Sequence, residues 1–388
     1  MRLHLLLHCI LMSAMILFFS SLPAVPAIRP TVPESPLASA DPAIELEALF
    51  SKFSNPRDPG CAVLVIRNSK VLFEKGFGVR DLRSFHPIDS ETNFRLASLT
   101  KQFTATAIML LVHEGKLHYD DHLTDIFSDF PTYGRAVAIR HLLNHTSGLV
   151  DYEDVMQKQN PGVPDDRIPQ IHDAEVLALM KQQTGTKFPP GSRWDYSNSG
   201  YVVLAMVVEK ISGMSFGDFL RERIFKPLAM NNTIAYEKGK NEVRNRAYGH
   251  TQTAAGWRET DQSSTSATLG DGGIYTSLDD LEKWNRALDQ HTLLSAQDTA
   301  PALRAPEWKN GPLLTLSGSI APRYGFGWFL DPLEGHVRYS HYGETVGFRN
   351  AIQRFPNDRL TVILLSNRAE LDAPALGESI AKVFLRHP

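Results

Sequence analysis

The sequence predicts a mixed α/β (α+β) fold: an antiparallel sheet built from both ends of the chain and flanked by helices, with a helical lobe inserted between the two sets of strands. Three observations predict it. Residues 61–67 and 70–79 are β-branched runs separated by Asn68-Ser69, the pattern of an antiparallel hairpin. Strand-like runs return only late, at 324–330, 337–341, 348–355 and 360–365, the last two joined by the turn-forming Pro356-Asn357-Asp358. Between them lie helical spacings and loops, and an amphipathic helix over 374–385 closes the chain.

Taken in order, residues 1–27 start with Arg2, continue through an apolar run and end in Leu-Pro-Ala-Val-Pro-Ala. This is the layout of a secretory signal cleaved after Ala24 or Ala27, so the expected location is secreted or periplasmic. Left uncleaved, the run is close to the ~20 residues that span a bilayer and would be a membrane anchor, although His4 and His8 interrupt it. Residues 28–42, rich in Pro, Ser and Ala, read as a tether, and residues 43–388 as the folded domain. Helical spacing over 43–53 stops at Asn55-Pro56. Cys9 leaves with the signal, so the mature chain has the single thiol Cys61 and no internal disulfide; within its apolar run Cys61 reads as a buried small hydrophobe. The net charge of −3 offers no basic field to a nucleic acid or an acidic membrane surface. A polymeric anion is therefore not the expected partner.

Three stretches carry chemistry. Residues 94–103 place Ser98 three positions before Lys101 at the opening of a helical pattern that runs to Glu114 and stops at Gly115. On a helix the two share a face, and a buried lysine that loses its proton easily can take the proton of a serine hydroxyl. The spacing alone is weak, because Ser379 and Lys382 repeat it in the C-terminal helix and serine commonly caps helices. Residues 194–200 form a polar loop before a hydrophobic helix. There Tyr196 can exchange protons with Ser98 or a leaving group, and Asn198 can hold a substrate carbonyl or position Lys101; the plain reading is a helix cap. Residues 339–344 end an expected strand, where Gly343 lets backbone N–H groups approach a ligand and His341 adds a titratable edge.

In this order the three stretches resemble the signature of the serine β-lactamase and penicillin-binding-protein superfamily: Ser-x-x-Lys, a second polar triplet, and Lys-Thr-Gly. Tyr196-Ser197-Asn198 is similar to the Tyr-x-Asn of the class C branch and its esterase and D-aminopeptidase relatives. Residues 142–149, 272–277 and 347–349 are similar to family texts in the same order, so the resemblance spans 44–384. It implies a β-lactamase/transpeptidase-like fold and a serine hydrolase that works without cofactor or metal. By the same resemblance Ser98 is the acylated nucleophile, and Lys101 is its proton acceptor or the charge that lowers a partner's pKa. Tyr196 is then the shared general base and acid, and Asn198 a contact to substrate or Lys101. His341, Tyr342 and Gly343 stand where the family has Lys, Thr and Gly, and the backbone N–H groups of Ser98 and Glu344 form the oxyanion hole. Histidine is mostly neutral at pH 7 and Tyr342 is bulkier than threonine, which favours the esterase or peptidase side over β-lactam hydrolysis. A rival of another class is a non-catalytic protein that binds or regulates cell-wall peptides; it has no need of Lys101.

Two further patterns compete. Gly213-Met214-Ser215-Phe216-Gly217 matches the Gly-x-Ser-x-Gly elbow, but the preceding run fits a helix better and Ser215 reads as an N-cap. His141 and His145 have zinc-ligand spacing without the glutamate or a signposted third ligand.

Overall fold

Alternation along the central strands supplies two apolar faces, and the fold forms by covering both. The computed structural model describes residues 42–53, 55–306 and 311–386; the expected signal and all but the last residue of the tether lie outside them. In the strand Cys61–Arg67, Cys61, Val63 and Val65 point to one side, against Leu46, Ile380 and Phe384 of the helices Pro42–Leu49 and Ala373–Leu385. Ala62, Leu64 and Ile66 point to the other, into a core that holds Phe94, Phe103 and Trp284. Each large aliphatic side chain so buried contributes about 1.5–3 kcal/mol.

The sheet is antiparallel throughout, in the order Lys70–Phe77, Cys61–Arg67, Leu360–Ser366, Phe348–Phe355, Tyr339–Thr345. Its strands come from both ends of the chain, as expected. Asn68 and Ser69 turn the first hairpin with φ of +51° and +60°, the two positive values a tight hairpin turn requires. The segments between the two sets of strands supply the helices Lys101–His113, Asp173–Lys181, Asn198–Ser212 and Leu278–Gln290.

Several expectations need correction. No strand forms over 324–330: Phe329 makes single bridges to Tyr324 and Ser340, and the Gly325 N–H turns back to the Trp328 carbonyl at 2.8 Å. Strand-like composition there serves a tight loop in which Gly327 has φ +77°. The helical spacing over 219–225 becomes the α-helix Phe216–Leu220 continued by a π turn, Arg221–Phe225. A three-stranded sheet (Phe94–Arg95, Ile274–Thr276, Ile234–Ala235) and the hairpin His250–Thr253/Gly256–Glu259 were not foreseen, their strands being too short to show a period. The second Ser-x-x-Lys is incidental. Ser379 bonds back to the Ala375 carbonyl at 2.9 Å, and Lys382 pairs with Glu334 at 2.9 Å.

Ile363 is fully buried in the middle strand of the five. Replacing it with alanine is expected to lower unfolding free energy by about 2–5 kcal/mol in denaturant titration with an unchanged slope; a loss under about 1 kcal/mol would contradict this account of the core.

Candidate active site

Ser98 stands in a 3₁₀ turn, Ala97–Thr100, immediately before the helix Lys101–His113. Two tertiary restraints aim it. The Leu96 N–H donates to the Ile274 carbonyl at 2.8 Å, and Ala97 then takes φ +49°, a left-handed conformation that costs a non-glycine residue on the order of 1–3 kcal/mol. The turn leaves Ser98 partly exposed while its neighbours on both sides are buried.

Lys101 lies behind it, fully buried. Its ammonium donates to Ser98 Oγ at 2.9 Å, to Asn198 Oδ1 at 2.8 Å and to the Asp271 carbonyl at 3.1 Å. All three donor sites are therefore used. Burial lowers its pKa from 10.5 to about 8, against the opposing pull of Asp271, Glu153 and Asp151. Roughly a tenth of the molecules then carry a neutral Lys101 at pH 7.

The loop before Asn198–Ser212 brings in Tyr196, whose hydroxyl interacts with the Ser98 side chain. Burial drives that hydroxyl's pKa well above 10. The Lys101 nitrogen lies 5.0 Å from the centre of the Tyr196 ring. Asn198 opens the helix: its N–H donates to Asp151 Oδ2 at 2.8 Å, and its Nδ2 donates to Glu153 Oε1 at 3.0 Å. With Nδ2 turned to a carboxylate, Oδ1 must face the lysine. Burial, Asp151 and Asp271 raise the Glu153 pKa to about 7.

The strand Tyr339–Thr345 forms the sheet edge beside this group. Its Gly343 passes so close to Leu96 that an added Cβ would stand 2.0 Å from the Leu96 carbonyl oxygen. Ser340 exchanges hydrogen bonds with Phe329 on the side away from Phe348–Phe355 (2.8 and 2.9 Å). By strand alternation the N–H groups of Tyr342 and Glu344 also point out of that edge. Glu344 and the Ser98 turn thus present N–H groups on adjoining elements, the second at the start of a helical turn where such groups lack helical partners.

His341 is 1% exposed on the face towards Ser98. Its Nδ1 faces the Tyr342 carbonyl at 2.7 Å and so carries the proton, which makes Nε2 the acceptor of the Tyr324 O–H at 3.0 Å. Burial and the Lys101 charge lower its pKa to about 3, leaving it neutral with both nitrogens engaged. Tyr342 lies on the opposite face of the strand, half-exposed, its ring stacked on Phe329 at 5.3 Å.

The structure thus gathers Ser98, Lys101 and Asn198 in direct contact with Tyr196 beside them, sets His341 one layer beneath, and turns Tyr342 away. Sequence reading missed the groups that hold them: Asp151, Glu153, Asp271, Tyr324 and His145. The text at 142–149 was a signal for His145, but sequence reading weighed it only as a metal ligand spaced with His141. His145 Nδ1 accepts the Ser197 N–H at 3.1 Å and His141 Nδ1 the Ala138 N–H at 3.1 Å, both structural duties. Ser215 caps Phe216–Leu220, its hydroxyl 2.7 Å from Asp218 Oδ2. A cavity of about 630 Å³ elsewhere in the helical region, lined by Asp218, Arg221, Lys226 and Arg244 among others, includes none of the site residues.

The chain matches the family model described as Beta-lactamase over residues 46–384. It is 33% identical over 338 residues to penicillin-binding protein 4* of Bacillus subtilis, covering 84% of this chain and 72% of that one. It is 29% identical over 317 residues to the D-aminopeptidase of Brucella anthropi, covering 81% of this chain and 57% of the relative. Among solved structures, the octameric penicillin-binding protein homologue from Pyrococcus abyssi superposes with a TM-score of 0.73 at 26% identity over 89% of this chain and 77% of that one. The D-amino acid amidase from Ochrobactrum anthropi SV3 shares the fold, with a TM-score of 0.73 at 22% identity over 90% and 99% of the two chains.

Ser215→Ala is expected to cost about 1 kcal/mol of stability through the lost cap, read by thermal unfolding, while a fluorophosphonate still labels Ser98. Labelling that moves to Ser215, or stops in its variant alone, would reverse the assignment.

Proposed function

Because the chain belongs to the beta-lactamase family and is a serine hydrolase like its relatives, we propose that it cleaves small esters or amides, D-amino-acid peptides among them, through an acyl-enzyme on Ser98. One observation carries the reading: a fully buried lysine 2.9 Å from Ser98 Oγ, with its pKa brought to about 8. Of the two groups beside this hydroxyl, Tyr196 keeps its proton at neutral pH and Lys101 sheds its proton more easily.

The roles follow from that order. Neutral Lys101 takes the Ser98 proton as Oγ bonds to the substrate carbonyl carbon. Negative charge gathers on the carbonyl oxygen, where the N–H groups of Ser98 and Glu344 receive it. Tyr196 gives its proton to the leaving oxygen or nitrogen as that bond breaks. Water then attacks the acyl carbon and yields a proton to the Tyr196 oxyanion. Lys101 returns its proton to Ser98 Oγ as the ester opens. Both groups end as they began.

His341 supplies no positive charge to a substrate carboxylate, because it is neutral and bonded at both nitrogens. This supports neutral esters and amides over acyl donors held by a carboxylate. The layout of residues 1–27 supports export, and we place the enzyme outside the cytoplasm.

Two measurements test the reading. In a panel of p-nitrophenyl acetate, nitrocefin and D-Ala-D-Ala peptides, turnover of at least one ester or amide is expected, with Ser98→Ala losing about 1,000-fold or more in kcat. Muropeptide binding with no turnover and no Ser98 labelling would return the non-catalytic reading. The acylation rate should rise with pH through a midpoint near 8, since the neutral form of Lys101 accumulates above its lowered pKa. A rate that falls through the same midpoint would make the ammonium, not the free amine, the working form.

A further inference from the structure

Tyr196 sits in a loop, and a loop side chain that must deliver a proton within hydrogen-bond distance needs an external support. His145 contacts it at three points. Its carbonyl accepts the Asp195 N–H at 2.9 Å, and its Nδ1 accepts the Ser197 N–H at 3.1 Å, so the residues on each side of Tyr196 are tied to one histidine. Its ring lies 4.2 Å from the Tyr196 ring, tilted by 33°. To reach all three, His145 takes φ +60°.

The chemistry of this position selects histidine for its acceptor. The ring is 1% exposed, and burial together with the nearby Lys101 charge holds its pKa well below the ordinary range, so it is neutral. With Nδ1 accepting, the proton resides on Nε2, which has no partner among the described residues. A leucine would fill the same space without the unsatisfied Nε2–H, which costs about 1–3 kcal/mol, but it would leave the buried Ser197 N–H without its acceptor. Packing therefore does not ask for histidine; the Ser197 N–H does.

We propose that His145 is a positioning residue that fixes Tyr196 for proton delivery at Ser98, acting through the tyrosine and not on the substrate. The inference rests on the reading of Tyr196 as the leaving-group acid.

The test compares kcat and KM for p-nitrophenyl acetate and phenyl acetate in the wild type, Tyr196→Phe, His145→Leu, His145→Asn and the double variant Tyr196→Phe/His145→Leu. Phenoxide is the poorer leaving group and depends more on a donated proton. His145→Leu is expected to lose about 100-fold in kcat on phenyl acetate but only about tenfold on p-nitrophenyl acetate, with KM within about threefold. Added to Tyr196→Phe it should lose less than about threefold more, because both changes remove one function. His145→Asn, with an amide oxygen near the Nδ1 place and tolerance of positive φ, is expected to restore most of the kcat lost in His145→Leu. Equal losses on both esters, or an equal further loss in the Tyr196→Phe background, mark a structural role and overturn the proposal. Should His145→Leu fail to fold, His145→Asn decides: a kcat more than about tenfold below wild type overturns it. If Tyr196→Phe keeps full kcat on both esters while Ser98→Ala is dead, the assignment of Tyr196 fails and the positioning role falls with it.

Discussion

The buried ammonium of Lys101 is the constraint around which this molecule is arranged. A lysine charge taken out of water is strongly unfavourable unless each of its donors finds an acceptor. Here the three acceptors come from Ser98, Asn198 and the Asp271 carbonyl, segments that lie 3, 97 and 170 residues away along the chain. Satisfying one side chain therefore requires the turn before its own helix, the loop ahead of Asn198–Ser212 and the strand region near Ile274 to meet at a point. The same burial that imposes this demand brings the pKa to about 8 and makes the lysine a usable base. The structural requirement and the chemical capacity have one origin.

Close approach of backbones brings the reacting groups within reach. Ala97 takes a left-handed conformation, and Gly343 lies where any side chain would strike the Leu96 carbonyl. Gly327, at φ +77°, closes the other flank, its missing Cβ only 3.0 Å from the Lys101 carbonyl oxygen. These contacts seat the Ser98 turn against a sheet edge whose outward N–H groups are free of the neighbouring strand. Strain at Ala97 and the absence of side chains at the two glycines are local costs that the surrounding core offsets.

The polar groups are separated by environment as much as by type. Lys101 loses its proton near pH 8, Tyr196 holds its proton well past pH 10, and His341 and His145 remain neutral because burial disfavours their charged forms, the more so beside the Lys101 charge. A site with one titratable cation and a protonated phenol has a base and an acid ready at the same pH. Glu153 joins this arrangement through Asn198, whose amide it orients.

The order Ser98-x-x-Lys101, Tyr196-x-Asn198, His341-x-Gly343, the hairpin at 61–77 and the late strands were legible in the sequence, because residue type and period record which groups are present and which faces are apolar. The sheet from both chain ends followed from the same patterning. Composition could not distinguish the loop at 324–330 from a strand, since Gly327 turns the chain against Lys101 only in three dimensions. Nor could it tell that His341 is used up by Tyr324 and its own neighbour's carbonyl, that Tyr342 leaves by the other face, or that His145 braces Tyr196 from 51 positions earlier. Those facts depend on contacts between distant segments, which have no local period. The sequence by itself determined the chemical inventory and its order; burial and long-range hydrogen bonding decided which member holds a proton, which one gives it away, and which only keeps the others in place.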